Sequence, residues 1–237
     1  MQLSVPFYRL KRDARRLSRQ QNMPLHEALD RAATREGYGS WSLLAARHAA
    51  ERPAEALLRR LTPGDLLLVG ARPGQGKTLM GLELAVEAAR AGRQAIFFTL
   101  EDTLGDVQAR LDDFGARSML ANPLFRYDGA EAICADYIVA AMCGASPGAL
   151  AIIDYLQLLD RRRVAPGLDA QVRALRQAAQ ERGHVLAILS QIDRSYEASG
   201  KPLPDIDDLR LPNPVDVSLF NKRCFLHRGT IRFEALH

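Results

Sequence analysis

The chain has 237 residues, 47% of them apolar and 25% charged, enough to bury a full core in one large domain, alone or with a small appendage. No apolar stretch approaches the roughly 18 residues of a membrane span, and the Arg-rich start, Met1 to Leu17, lacks the apolar segment of a secretory leader, so a cytoplasmic protein with no membrane partner is expected. The formal charge of +4 is uneven, with twelve Lys/Arg against six Asp/Glu in residues 1–60 and twenty against twenty-two in residues 61–237; the basic segment either meets phosphates or presents a solvated helical face.

From Pro6 to Leu61 the sequence reads as three or four short helices. Leu25, Ala28, Leu29 and Ala32 follow helical spacing, Gly37-Tyr38-Gly39 breaks it, and Ser40 can cap a helix carrying Trp41, Leu43 and Leu44. A further helix starts at Pro53, where a missing N–H costs nothing. Thr62-Pro63-Gly64-Asp65 is a turn, and the pattern then changes to the apolar run Leu66–Gly70 of a strand buried on both faces. The spacing thus predicts a basic helical module over 1–61 and a second domain over 62–237.

In that second domain the runs Ala95–Leu100, Ala149–Leu156 and Val185–Ser190 read as strands. Leu79–Ala91, Gly105–Phe114, Ala130–Met142 and Asp169–Arg182 read as helices. Such alternation predicts an α/β fold with a mostly parallel sheet flanked by helices. Residues 192–214 carry four prolines and read as a long functional loop. Val217–Phe220, Cys224–Leu226 and Thr230–Phe233 read as closing strands around a turn at Arg228-Gly229. Cys134, Cys143 and Cys224 form no C-x-x-C pair and are expected as buried thiols, with no zinc site or disulfide.

The chemistry concentrates at the ends of the strands. Ala71-Arg72-Pro73-Gly74-Gln75-Gly76-Lys77-Thr78 follows the first strand and opens a helix, the context that a phosphate-binding loop requires. Gly74 and Gly76 let backbone N–H groups turn inward on an anion, and the new helix adds its positive end. Lys77 would reach the β- and γ-phosphates of ATP, and the Thr78 hydroxyl would ligate Mg2+. The general pattern asks for Gly where this chain has Ala71.

Asp154 ends the strand Ala151-Ile152-Ile153, which suits it to the outer shell of Mg2+, although an acid also ends ordinary strands. Glu101 ends Ile96–Leu100 and would orient the attacking water, or merely cap the next helix. Ser190-Gln191 closes a fourth strand, where the Gln191 amide would sense the γ-phosphate.

Together these residues resemble the ATPase domain of DnaB-type replicative helicases, over roughly Gly64 to Asp216. Ala71-Arg72-Pro73 before Gly76-Lys77-Thr78 is similar to that family's own form of the loop, alanine included. Phe97–Glu101 resembles its catalytic-glutamate segment, Ile153-Asp154-Tyr155-Leu156-Gln157 its magnesium-aspartate strand, and Leu189-Ser190-Gln191 with Arg194, Ser195 and Glu197 its sensor motif. Asp208-Leu209-Arg210 stands where the family has a loop facing single-stranded DNA.

The resemblance implies a RecA-like P-loop core, ATP hydrolysis through Glu101, Lys77 and Gln191, and contact of Arg194 and Arg210 with single-stranded DNA. A homo-oligomer is implied as well; Lys222, Arg223 and Arg228 are this chain's own candidates for supplying a finger's charge to a neighbour. The chain departs from the family at three places: basic helices stand where the large partner-binding domain is expected, Leu211-Pro212-Asn213-Pro214 replaces an acidic-glycine continuation, and the lysine-x-arginine finger is missing. These leave hexameric action open, and with it a second reading as an ATP-switched regulatory or scaffold protein.

Overall fold

The computed structural model describes residues 3–5, 7–51, 53–156, 159, 166–211 and 213–236. Pro6, Gln157 and Pro212, named above, lie outside them. Four helices come first: α1 (Phe7–Gln21), α2 (Leu25–Arg35), α3 (Trp41–Glu51) and α4 (Pro53–Leu58). Ser40 caps α3 as expected, its hydroxyl accepting the Leu43 amide at 3.3 Å. Then β1 (Leu66–Ala71), α5 (Lys77–Arg90), β2 (Ala95–Thr99), α6 (Leu104–Asp113), β3 (Phe125–Asp128), α7 (Ala135–Ala141), β4 (Leu150–Asp154), α8 (Leu168–Arg182) and β5 (Val185–Gln191) alternate. The hairpin β6 (Lys222–His227) and β7 (Thr230–Ala235) closes the fold.

The seven strands lie in the order β3-β2-β4-β5-β1-β6-β7, all pairs parallel except β6 with β7. β1, β2 and β4 are buried along their whole length, as expected of central strands covered on both faces. Side chains alternate between two cores. Leu67, Val69, Phe97 and Ile152 pack under α4, α5 and α6, and Leu66, Leu68, Phe98 and Ile153 pack under α7 and α8. Gly81 lets α5 lie close on the sheet, because a Cβ there would meet Ile152 and Leu189 side chains at 2.9 Å.

The first three helices share a small separate core of Leu3, Leu10, Ala33 and Leu44, with Phe7 and Trp41 packed against it. Ala54, Leu57, Leu58 and Leu61 instead join the core beneath α5.

Two expectations change and one strand is added. Val217–Leu219 is a 3-10 turn instead of a strand: the Asp216 carboxylate accepts the Ser218 amide at 3.0 Å and winds the chain locally. β3, a four-residue edge strand with alternating exposure, is too short and polar for its period to have stood out. Among the cysteines Cys224 is buried, its thiol pushed up to about 12 by burial, but Cys134 is half-buried and Cys143 exposed. All three are free thiols.

Candidate nucleotide site

Parallel strands carry their side chains to a shared carboxyl edge, where ligands of open α/β sheets bind. Here the register places Thr99 beside Asp154, Asp154 beside Leu189, and Gly70 and Ala71 beside Ser190 and Gln191. The ends of β1, β2, β4 and β5, and with them Lys77, Glu101, Asp154 and Gln191, therefore stand along one edge.

The loop between β1 and α5 curls through Gly74 and Gly76, whose φ angles of 75° and 94° lie in the left-handed region that favours glycine. The neighbouring Gly70 serves packing: a Cβ there would meet the Phe225 ring at 2.9 Å and Ile192 at 3.2 Å. The side chains of Arg72 and Gln75 brace the loop against later segments of the chain. Arg72 Nε and Nη2 donate to Glu197 Oε1 at 2.9 and 2.8 Å and Nη1 donates to the Ile192 carbonyl at 3.0 Å. Gln75 Oε1 accepts the Arg228 amide at 2.7 Å. Tyr8 of α1 donates to the Gly74 carbonyl at 2.9 Å.

Lys77 pairs with Asp154 Oδ1 and lies 4.9 Å over the Tyr155 ring. Asp154 is 1% exposed, and its Oδ2 is buried without a hydrogen-bond partner. A buried carboxylate oxygen left unpaired is costly unless a cation or water completes it. With the Thr78 hydroxyl at the start of α5, that oxygen fits the donor set of a magnesium ion, which takes one or two protein oxygens and keeps its waters. No cluster of three His, Cys, Asp or Glu side chains that could hold a metal ion occurs among the described residues.

Glu101 follows β2 at the surface. Partial burial and then the charge of Asp154 raise its carboxyl pKa, against Lys77 and a hydrogen bond with the Tyr155 side chain. Its turn is held by residues that the sequence did not single out. Asp102 is gripped by Arg110 through 2.7 and 2.9 Å bonds, Tyr127 donates to the Asp102 carbonyl at 3.0 Å, and the Thr99 hydroxyl accepts the Glu101 amide at 3.1 Å. Thr103 and Asp106 form a capping box that starts α6 directly afterwards. The T-x-x-D spacing was available in the sequence as a signal; the eight-residue reach from Asp102 to Arg110 was not.

At the other side, Gln191 leads into the 192–214 segment through its backbone. Its carbonyl accepts the Arg210 amide at 2.8 Å, and Ile192 bridges Leu209. Arg194 and Arg210 are exposed, while Asp208 and Leu209 are buried. Lys222 and Arg223 begin β6, at the amino edge of the sheet beside Leu67 and Leu68. Arg228 sits exposed at the hairpin tip beside the phosphate loop.

Strand order, loop and strand-end acids define a RecA-like P-loop fold, and the chain is similar to the ATPase domains of DnaB-type helicases. It is 27% identical over 195 residues to the replicative DNA helicase DnaB of Leifsonia xyli subsp. xyli, a match covering 68% of this chain and 42% of that protein. The chain thus spans about two fifths of that relative's length. Among solved structures, one isolated ATPase domain superposes with a TM-score of 0.60 at 21% identity, covering 78% of this chain and 81% of that one. A DnaB-like replicative helicase, solved for its interactions with primase, superposes at 0.61 with 20% identity, covering 93% and 67%. No family model matches the chain. No helix among the described residues is long and apolar enough to cross a membrane.

Proposed function

We propose that the chain binds ATP with magnesium at Gly74–Thr78, hydrolyses it, and couples hydrolysis to single-stranded DNA as a DnaB-like helicase or translocase. The observation that carries the reading is the convergence of Lys77, Asp154 and Glu101 on one sheet edge, with Asp154 Oδ2 buried and unpaired. Lys77 would exchange its Asp154 partner for the β- and γ-phosphates, and Thr78 and Asp154 would hold the metal. A magnesium ion bound there supplies positive charge to phosphates that become more negative as the bond breaks. Glu101, its proton affinity raised by its surroundings, accepts a proton from the attacking water. The backbone bond between Gln191 and Arg210 supports coupling of the site to the exposed arginines of the 192–214 segment. A homo-oligomer would bring Arg228, or Lys222 and Arg223 from the opposite edge, to a neighbour's phosphates.

The deciding measurement is ATP turnover with and without single-stranded DNA, in the wild type, Lys77→Ala and Glu101→Gln. Expected is stimulation by DNA, abolished in both variants. Lys77→Ala should also lose nucleotide binding, whereas Glu101→Gln should keep it. Turnover indifferent to DNA would replace the motor with an ATP-switched regulatory protein. DNA affinity that keeps its salt dependence in Arg210→Ala would remove that arginine from the DNA path.

A further inference from the structure

The sheet ends on one side in β7, which pairs with β6 in unbroken register from Ala235 opposite Lys222 to Thr230 opposite His227. Neither a bulge nor a proline interrupts β7, two of the devices that blunt exposed edges. Beyond its last pair, Leu236 donates its amide directly across to the Asn221 carbonyl at 2.9 Å. In an antiparallel ladder such bonded pairs alternate with pairs that share no bond. The N–H and C=O groups of Thr230, Arg232 and Glu234 therefore face β6, and those of Ile231, Phe233 and Ala235 face outward. Among the described residues no hydrogen bond takes up these outward groups. Arg232 and Glu234 share one face of the strand. Arg232 Nε lies 3.0 Å from Glu234 Oε1, near enough for an ion pair but not aligned for a hydrogen bond, and the two side chains are 36% and 34% exposed. Leu236, on the same face, is an exposed apolar side chain.

We propose that β7 is the surface on which two copies of this chain pair, antiparallel about a two-fold axis at Phe233, so that one sheet runs through both. Ile231 then exchanges backbone bonds with Ala235 of the second copy, and the two Phe233 residues exchange bonds with each other, which satisfies every outward group of the strand. Charge selects this register. Arg232 stands directly opposite Glu234 of the second copy, in a pair without backbone bonds, where facing side chains come closest. With the Arg232–Glu234 contact inside each strand, the charges alternate in sign around the axis. The adjacent registers that keep the backbone bonds move the axis to Arg232 or to Glu234. They set Arg232 against Arg232, or Glu234 against Glu234, and like charges directly opposite are destabilising. In the favoured register Leu236 also faces Thr230 of the second copy and loses exposed apolar area. The contact is isologous and closes at two copies. It needs no nucleotide and stands apart from the phosphate-site reading. One strand a side is small beside the roughly 1,600 Å2 of a standard interface, so the pairing is weak and concentration-dependent.

Sedimentation velocity of the full chain without nucleotide, from about 1 to about 100 μM, tests the surface, and a monomer–dimer equilibrium is expected. Ala235→Pro removes an outward N–H and none that faces β6, a change that edge strands tolerate. It should leave the thermal midpoint close to that of the wild type and weaken the dimer by about tenfold or more. Arg232→Glu sets like charges across the axis on both sides and should weaken the dimer by a similar factor. Adding Glu234→Arg to Arg232→Glu restores opposite charges and should bring the dimer back to within about threefold of wild type. Both of these variants lose the 2.8 Å bond from Arg232 Nη2 to the Pro204 carbonyl, so recovery in the double variant reports the charge pairing alone. A wild type that stays monomeric at about 100 μM overturns the proposal. So does an assembly that Ala235→Pro leaves unchanged, or a double variant that dimerises no better than Arg232→Glu.

Discussion

The carboxyl edge of the sheet and the three helices that precede it are held by different means. At the sheet edge, each acid is placed by a strand buried on both faces, and Phe97, Phe98, Ile152 and Ile153 are fully buried. Among the described residues, the helices α1 to α3 share a core of four buried residues, and α1 alone carries six Lys/Arg. They reach the main domain through polar contacts: Tyr8 to Gly74, and Lys11 and Arg15 to Asp113 at the end of α6. The first region is positioned by apolar burial, which is cooperative; the second is docked, and docking through exposed polar pairs is weak.

Truncation within each core separates the two most sharply. Phe98→Ala should lower global stability by about 3–5 kcal/mol, the usual cost of emptying a buried Phe site. Leu44→Ala sits in the small core, so its penalty should fall on α1 to α3. Hydrogen exchange would show their amides opening while β1, β4 and β5 stay protected. If Leu44→Ala instead speeds exchange throughout the sheet, the two regions are one cooperative unit.

Glu83 of α5 lines a cavity of about 580 Å3 between the two regions, and its stability effect depends on pH. Its folded-state pKa of about 7 lies above the ordinary 4.5, so the folded protein binds this proton more tightly than the unfolded chain. Its contribution is therefore most favourable below about 4.5 and is lost as pH rises towards 7. Glu83→Gln should raise the thermal midpoint at pH 8 and change it little at pH 4.5. At 1.36 kcal/mol per pKa unit the gain is at most about 3.4 kcal/mol.

The turn carrying Glu101 tests whether positioning extends beyond the strands. Arg110→Ala removes both bonds to Asp102 and should lower ATP turnover by about tenfold, or roughly 1.4 kcal/mol of barrier, with little change in nucleotide affinity. The acid limb of the rate profile should sit above the usual carboxylate range, with turnover falling as pH drops through the raised pKa of Glu101. Glu101→Gln should remove that limb. An unshifted limb would separate Glu101 from the proton transfer.

What could be read from the sequence follows the same division. Leu66–Ala71, Ala95–Thr99 and Leu150–Asp154 are continuous apolar runs, so both the sheet and the edge at which the candidate residues stand were legible. Asp154 and Glu101 could be named because each sits where such a run stops, and Lys77 because a glycine-containing loop after the first run opens a helix there. Arg72 and Gln75 were legible as loop members, but their bonds to Glu197 and Arg228 span over a hundred residues and leave no periodic trace. The helices were also legible, through Gly37 and Ser40. Their seat over the phosphate loop was not, because it depends on Tyr8 and Asp113, which look like ordinary surface residues until the fold brings them together.

The smallest expected effect probes that seat. The Arg15–Asp113 pair is partly exposed, with side chains 42% and 28% accessible, and such pairs contribute about 0–1 kcal/mol. Arg15→Ala should therefore change global stability by less than about 1 kcal/mol. It should still loosen α1 measurably, seen as faster exchange of its amides and greater quenching of Trp41 by an added neutral quencher. Raising salt to about 1 M, where the screening length is roughly 3 Å, should reproduce much of that loosening in the wild type and add little in Arg15→Ala. Salt sensitivity that persists in full in the variant would assign the docking to other charges of α1, with Lys11 next in line through its contact with the Asp113 carbonyl.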